Sequence, residues 1–184
     1  AGNSEQAKTA FELANLIKPG DEAATKGLQQ AQTLNSVLAQ INEAKLQVKA
    51  GNLNEAKDLV IQALNSDPDA APAKSLLSEL KLAILDRDFT SAMSEGYAAL
   101  QRGQYSTAQT KFKRALSLKP KSNDAKTAIS QAGNQQVQSN IKQLLADAAE
   151  LESKEEWQEA ESKYKQALAL DSSIVTARIG QIRS

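Results

Sequence analysis

Residues 89–120 read FTSAMSEGYAALQRGQYSTAQTKFKRALSLKP, and they carry two helical patterns separated by a glycine. Apolar or small residues recur at spacings of 3, 4 and 3, which places them on one face of a first helix: Phe89, Ala92, Gly96 and Ala99. Gly103 follows this pattern and is suited to the left-handed conformation that ends many helices. The segment therefore predicts a helix that ends near Gly103 and a second helix directly after it.

The second helical pattern comprises Ala108, Phe112, Ala115 and Leu116, and Pro120 ends it. This order of small, aromatic and proline positions resembles the tetratricopeptide repeat, a pair of antiparallel helices about 34 residues long. The resemblance implies an all-α, TPR-like α-solenoid that presents a surface to other proteins.

The pattern repeats along the chain with a period of 52 residues. Four columns show it: Leu53, Tyr105 and Trp157; Ala56, Ala108 and Ala160; Val60, Phe112 and Tyr164; and Ala63, Ala115 and Ala167. A partial copy precedes them at an interval of 49 residues, where Ala7, Phe11 and Ala14 match Ala56, Val60 and Ala63. The recurrence predicts that the columns with alanine in every copy lie at buried helix crossings.

The period exceeds that of the family by 18 residues, or five helical turns. We interpret each insert as lengthening the first helix of the following repeat, so that one short helix packs on each half of a long helix. Long helices of about 30 residues are then expected near 22–50, 70–102 and 122–154, and short helices near 4–17, 53–66, 105–118 and 157–170. A last helix begins near 173. A break within each long helix, near Asp86-Arg87-Asp88 or Gly133-Asn134, stays open as the alternative.

These patterns predict a single helical-repeat domain over residues 1–184. Its parts are an orphan second helix of a truncated repeat (1–20), three repeats (21–68, 69–120 and 121–172) and the start of a further helix (173–184). Residues 4–17 lack the first helix of their repeat, so Leu13, Leu16 and Ile17 are expected to be uncovered. We therefore expect the chain to be part of a longer protein.

Composition narrows the function classes. Lys and Arg number 22 and so do Asp and Glu, which disfavours nucleic acid and anionic membranes as partners. No apolar run approaches the roughly 20 residues of a membrane span. The chain has no cysteine and no histidine, so disulfides and thiolate metal sites are excluded, and the commonest general base and metal ligand is missing. No catalytic, cofactor-binding or metal residue is predicted.

The candidate partner-binding residues are Lys45, Met93, Tyr97 and Gln101. In the tetratricopeptide repeat family, the corresponding face of the first helix lines a groove that binds peptides. By this resemblance, Met93, Tyr97 and Gln101 are expected to form one exposed ridge. A structural role is an equally good interpretation. Family members that clamp chaperone carboxylate tails use a set of lysines and asparagines on this face. This chain has Met93 and Tyr97, or Ile41 and Lys45, at those places, so the clamp is not present and binding of such tails is not expected.

Two other features have simple structural interpretations. Trp157 shares a column with Leu53 and Tyr105, so a core position is favoured over a ligand platform. Asp86, Asp88 and Glu95 could suggest a carboxylate site. However, the other copies have Asn35 and Ser139-Asn140 near this joint, which favours a solvated helix surface.

The sequence thus predicts a non-catalytic protein–protein interaction scaffold, with a protein or peptide partner and no cofactor. The alternative is a spacer or oligomerisation element that pairs its long helices, for example as a homodimer. An enzyme is the disfavoured third class. The last residues, ALALDSSIVTARIGQIRS, also resemble repeat regions of membrane-anchored bacterial proteins outside the cytoplasm. The compartment stays open.

Overall fold

The structure, a computed structural model, describes residues 2–183, and every regular element in that range is an α-helix. The helices are α1 (Gly2–Ile17), α2 (Glu22–Lys49), α3 (Leu53–Ser66), α4 (Ala71–Gln101), α5 (Tyr105–Leu118), α6 (Asn123–Ser153), α7 (Trp157–Leu170) and α8 (Val175–Arg183). The predicted all-α class is confirmed. The predicted alternation of long and short helices is also found, with boundaries within about two residues.

The three long helices are each unbroken. Helix α2 has 28 residues, and α4 and α6 have 31 each. The alternative of a break at the middle of each long helix is therefore wrong. Gly133 lies inside α6, where the surrounding turns continue the hydrogen-bond pattern despite the low helix propensity of glycine.

Side chains cap two of the long helices at their first turn. The carboxylate of Asp21 accepts a hydrogen bond from the amide of Ala24 at 3.1 Å, and the Ser122 hydroxyl accepts one from the amide of Ala125 at 3.1 Å. Each bond satisfies an amide that has no partner within its own helix.

A left-handed residue ends each long helix. Gly51 and Gly103 have φ angles of 83° and 71°, and Glu155 occupies the third equivalent position with a φ of 61°. The next residue then donates its amide back into the helix, as Gln104 does to the Ala99 carbonyl at 2.9 Å. This geometry reverses the chain within three residues and starts the following short helix.

The chain divides into two compact units, Ala1–Arg87 and Asp88–Ser184. In the first unit, the core lies between α2, α3 and the first part of α4. It contains Val37, Ile41, Ala44, Ala56, Val60, Ala63, Ala70, Ala73, Leu76 and Leu80. Helix α1 packs on α2, and Phe11 lies against Gly27. Whether the whole chain is one helical-repeat domain stays a prediction.

The second unit contains two core clusters along α6. The first joins the last part of α4, α5 and the first part of α6, around the fully buried Phe112. The second joins the last part of α6 with α7 and α8, around Tyr164. Helix α6 therefore packs α5 on its first half and α7 on its second half, as the sequence predicts. Ala56, Ala108 and Ala160 are all completely buried, which confirms the predicted crossings.

Candidate functional site

Tyr97 is the most prominent of the predicted partner-binding residues, because its ring is partly exposed and yet held in place. It is 42% exposed on the last part of α4. Its ring meets Phe112 of α5 edge-on, with centroids 5.0 Å apart and an interplanar angle of 67°. This is a favourable arrangement of two aromatic quadrupoles. A large amphipathic surface is thus offered to solvent with restricted side-chain freedom.

A glycine makes room for the ring beneath Tyr97. A Cβ atom at Gly96 would lie 2.4 Å from Cε1 and 2.6 Å from Cδ1 of Phe112. The small residue at position 96 therefore accommodates a side chain of α5. A ring also lies against a glycine at two other places, Phe11 against Gly27 and Tyr164 against Gly180, where the glycine belongs to the helix that follows the ring.

Met93 does not belong to an exposed ridge. It is only 9% exposed and belongs to the core cluster of Phe112. The expectation that Met93, Tyr97 and Gln101 form one exposed face is therefore wrong at Met93. The buried face of α4 is wider than the stripe Ala92, Gly96 and Ala99, because Met93 and Leu100 extend it on adjoining helical positions. A broad apolar face of this kind suits a helix that packs on more than one neighbour.

The other predicted residues are in solvent. Gln101 ends α4 and is exposed. Lys45 is exposed on α2, in the first compact unit. Ala149, which occupies the equivalent register position, is exposed on α6 in the second unit. Tyr97 and Gln101 thus share one helix, and Lys45 belongs to the other unit.

Ion pairs between long and short helices recur at the same register. Glu95 on α4 pairs with Lys111 on α5, and one period later Asp147 on α6 pairs with Lys163 on α7 at 3.0 Å. Hydrogen bonds from Lys111 and Ser91 lower the pKa of Glu95. The pKa of Asp147 is lowered by hydrogen bonds from Gln143 and Lys163. These carboxylates are engaged in structure, which disfavours them as acids or bases.

Trp157 is not a core residue. It is 44% exposed, whereas Leu53 and Tyr105 of the same column are partly buried against their clusters. The prediction of a core tryptophan is therefore wrong. Leu53, Tyr105 and Trp157 are each the first residue of a short helix, so their position in the helix is the same. What differs is size, because the indole is larger than the leucine or phenol of the other copies.

The described part of the chain contains neither a cluster of acidic side chains for a metal ion nor a membrane-spanning helix. Residues 2–183 contain no group of three or more Asp and Glu side chains placed to hold a metal ion. Among the helices of the same range, none combines the length and apolarity needed to cross a membrane.

Apolar surface lies on the first and last described helices. On α1, Leu13, Leu16 and Ile17 are 54%, 81% and 80% exposed, which confirms the predicted exposure. On α8, Val175, Ile179 and Ile182 are 67%, 56% and 83% exposed. The sequence contains a signal for this exposure, because the equivalent positions of the earlier copies are mostly polar.

Comparison with known proteins adds no relative: no protein-family model matches the chain, and none of the curated proteins searched matches it.

Proposed function

We propose that this chain is a non-catalytic protein–protein interaction scaffold, built as a TPR-like α-solenoid, and that Tyr97 belongs to its partner-binding surface. The observation that carries the proposal is the Tyr97 ring, which is 42% exposed and in edge-on contact with the buried Phe112. Exposed aromatic rings with few free torsions are frequent binding hot spots, because little conformational entropy is lost when a partner covers them.

The repeated packing supports the scaffold interpretation. Three short helices, α3, α5 and α7, present a fully buried alanine at the same register and a large side chain at the next core position. Units that bury a common core against neighbours leave a regular outer surface, on which substitutions alter binding with little effect on the fold. Tyr97, Lys45 and Ala149 occupy one such variable column and are all exposed.

Peptide selection tests the proposal. A random peptide library displayed on phage is selected on the 184-residue chain, and enriched peptides are then measured by fluorescence polarisation. We expect binding to weaken at least about tenfold in Tyr97→Ala, as for a hot-spot residue. Val137→Ala is the matched control, because Val137 is exposed to a similar degree, 38%, on α6.

Two results would contradict the proposed surface. One is a selection that enriches no specific peptide. The other is a set of peptides whose affinity falls equally in Tyr97→Ala and Val137→Ala. Thermal melts of both variants, expected to stay within a few degrees of the parent for partly exposed side chains, exclude unfolding as the cause.

A further inference from the structure

The exposed apolar face of α8 differs from every equivalent face in the chain. Val175, Ile179 and Ile182 are spaced by 4 and 3 residues, so they form one stripe along the helix. One period earlier, the same positions hold Asn123, Thr127 and Ser130, and two periods earlier Ala71, Ser75 and Ser78. All six of these residues are exposed.

The exposure of the equivalent residues on α4 and α6 shows that this face does not contact the neighbouring helices of the repeat. Helices α4 and α6 pack on their neighbouring short helices through other positions, such as Ala73 and Ala125, which are completely buried. Their exposed face is polar or small, as expected for a surface in water. An apolar stripe on the same face of α8 indicates a contact that the internal copies do not make.

The opposite face of α8 is firmly attached to the second unit. Ala177 is completely buried, and the Tyr164 ring fills the space beside Gly180. The guanidinium of Arg183 pairs with Glu152 of α6, with Nε 3.2 Å from Oε1. Because α8 is attached through these contacts, the stripe of Val175, Ile179 and Ile182 is presented on an ordered helix.

Helix α1 shows the same departure from its copies. Leu13 corresponds to Gln62, Arg114 and Gln166, and Leu16 corresponds to Asn65, Ser117 and Ala169, all of them exposed. Two of these copies, α3 and α5, have a long helix before and after them in the chain. The equivalent positions are therefore exposed even where both neighbouring helices are present. The sequence-based reason for the exposure of α1, a missing neighbouring helix, does not account for Leu13 and Leu16.

Charge indicates which surfaces fit each other. Helix α8 carries Arg178 and Arg183 and no acidic residue, whereas α1 carries Glu5 and Glu12 with one lysine. Arg178 lies between Val175 and Ile182 along the stripe, and Glu12 lies beside Leu13 and Leu16. A contact of α8 with α8 would bring the two Arg178 side chains together, whereas a contact of α8 with α1 brings Arg178 near Glu12.

We propose that the apolar face of α8 in one copy of this chain binds the apolar face of α1 in a second copy. The apolar stripe and Leu13, Leu16 and Ile17 form the centre of the contact, and Arg178 and Glu12 flank it. Each pair of copies keeps one unused α1 face and one unused α8 face, so further copies can add. This inference goes beyond the proposed scaffold function and differs from pairing through the long helices.

Register-matched variants test the proposal by sedimentation velocity. Ile179→Thr with Ile182→Ser gives α8 the residues of α6, and Leu13→Gln with Leu16→Asn gives α1 the residues of α3. The contact is small, so the parent chain is expected to be monomeric at about 10 µM and to gain at least about 1.5-fold in average mass by about 500 µM. Each double variant alone should stay monomeric over this range.

A mixture of the two double variants distinguishes this contact from a symmetric one. The α1 variant keeps an intact α8 and the α8 variant keeps an intact α1, so the mixture should form species no larger than a pair. Leu82→Asn is the matched control, since Leu82 is 63% exposed and its equivalent in α6 is Asn134. It should associate like the parent.

Three results would overturn the proposal: a parent chain that is monomeric at every concentration, either double variant associating alone as the parent does, or a mixture that remains monomeric. Thermal melts at about 10 µM confirm that the variants are folded, because exposed apolar-to-polar changes usually alter stability little. The peptide selection on Tyr97 uses none of these residues, so failure of one test leaves the other standing.

Discussion

Among single residues, three glycines share one structural task. Gly96, Gly27 and Gly180 each lie against an aromatic ring of a neighbouring short helix. The short helix α3 has Val60 at the corresponding position, and the facing residues there are Ala44 and Leu76. Ring and glycine therefore occur together, and a smaller side chain allows a larger partner. This complementarity keeps the density of the core uniform along the repeat.

Gly96→Ala should destabilise the chain by about 1–3 kcal/mol through overpacking. The new methyl group would lie 2.4 Å from Cε1 of Phe112, and that ring is completely buried. Chemical denaturation measures the loss. Gly133→Ala is the control, because a Cβ atom there meets nothing within 4 Å inside α6. It should stabilise by about 0.5–1 kcal/mol, as alanine usually does in a helix interior.

A double-mutant cycle identifies the cause. If the clash with the ring is responsible, Gly96→Ala combined with Phe112→Leu should lose less than the sum of the two single changes. Strict additivity, or a Gly96→Ala variant as stable as Gly133→Ala, would contradict the proposed fit between Gly96 and Phe112.

Among the helices, the turns after the long ones share a single backbone geometry but differ in sequence. Gly51 and Gly103 adopt positive φ without a Cβ penalty, whereas Glu155 adopts a φ of 61° at the same position. A left-handed conformation costs a non-glycine residue roughly 1 kcal/mol. The third turn is therefore strained where the first two are not.

Glu155→Gly should raise the free energy of unfolding by about 1 kcal/mol, because glycine removes the Cβ penalty at this turn. For a chain of this length the melting temperature should rise by about 2–4 °C. Glu155→Gln is the control, since it removes the charge and keeps the Cβ atom. A gain in the glutamine variant equal to that in the glycine variant would attribute the effect to charge instead of backbone conformation.

At the scale of the molecule, the short helices differ in how much packing supports them. Helices α3, α5 and α7 each share a core with a long helix before them and a helix after them. Helix α1 packs chiefly on α2, and its Phe11 is only partly buried. In proteins built from repeated units, the stability of each unit depends on its contacts with its neighbours.

Hydrogen exchange should therefore be faster in α1 than in the other short helices. The measurement is made by mass spectrometry at about 5 µM, where the proposed contact between copies is expected to be negligible. Amides of α5, around the completely buried Ala108, Phe112 and Ala115, provide the reference within the same chain. Equal protection of α1 and α5 would show that packing on α2 alone is sufficient to hold α1.

The sequence by itself determined the helices and their boundaries. Pro68 and Gly103 act through their own backbone conformation, and Ser122 acts through a hydroxyl that accepts from a nearby amide. These effects are local, so the residues end or begin helices with little help from the rest of the fold. The period of 52 residues likewise placed the alanines of the crossings in the core.

Only the tertiary structure decided the exposure of side chains beside those columns. Met93 is buried although its spacing suggested a surface ridge, and Trp157 is exposed although its column suggested the core. The apolar face of α8 also became evident only once its equivalents were seen to lie in solvent. Helical periodicity specifies the direction in which a side chain points, whereas burial depends on whether a neighbouring helix reaches far enough to cover it.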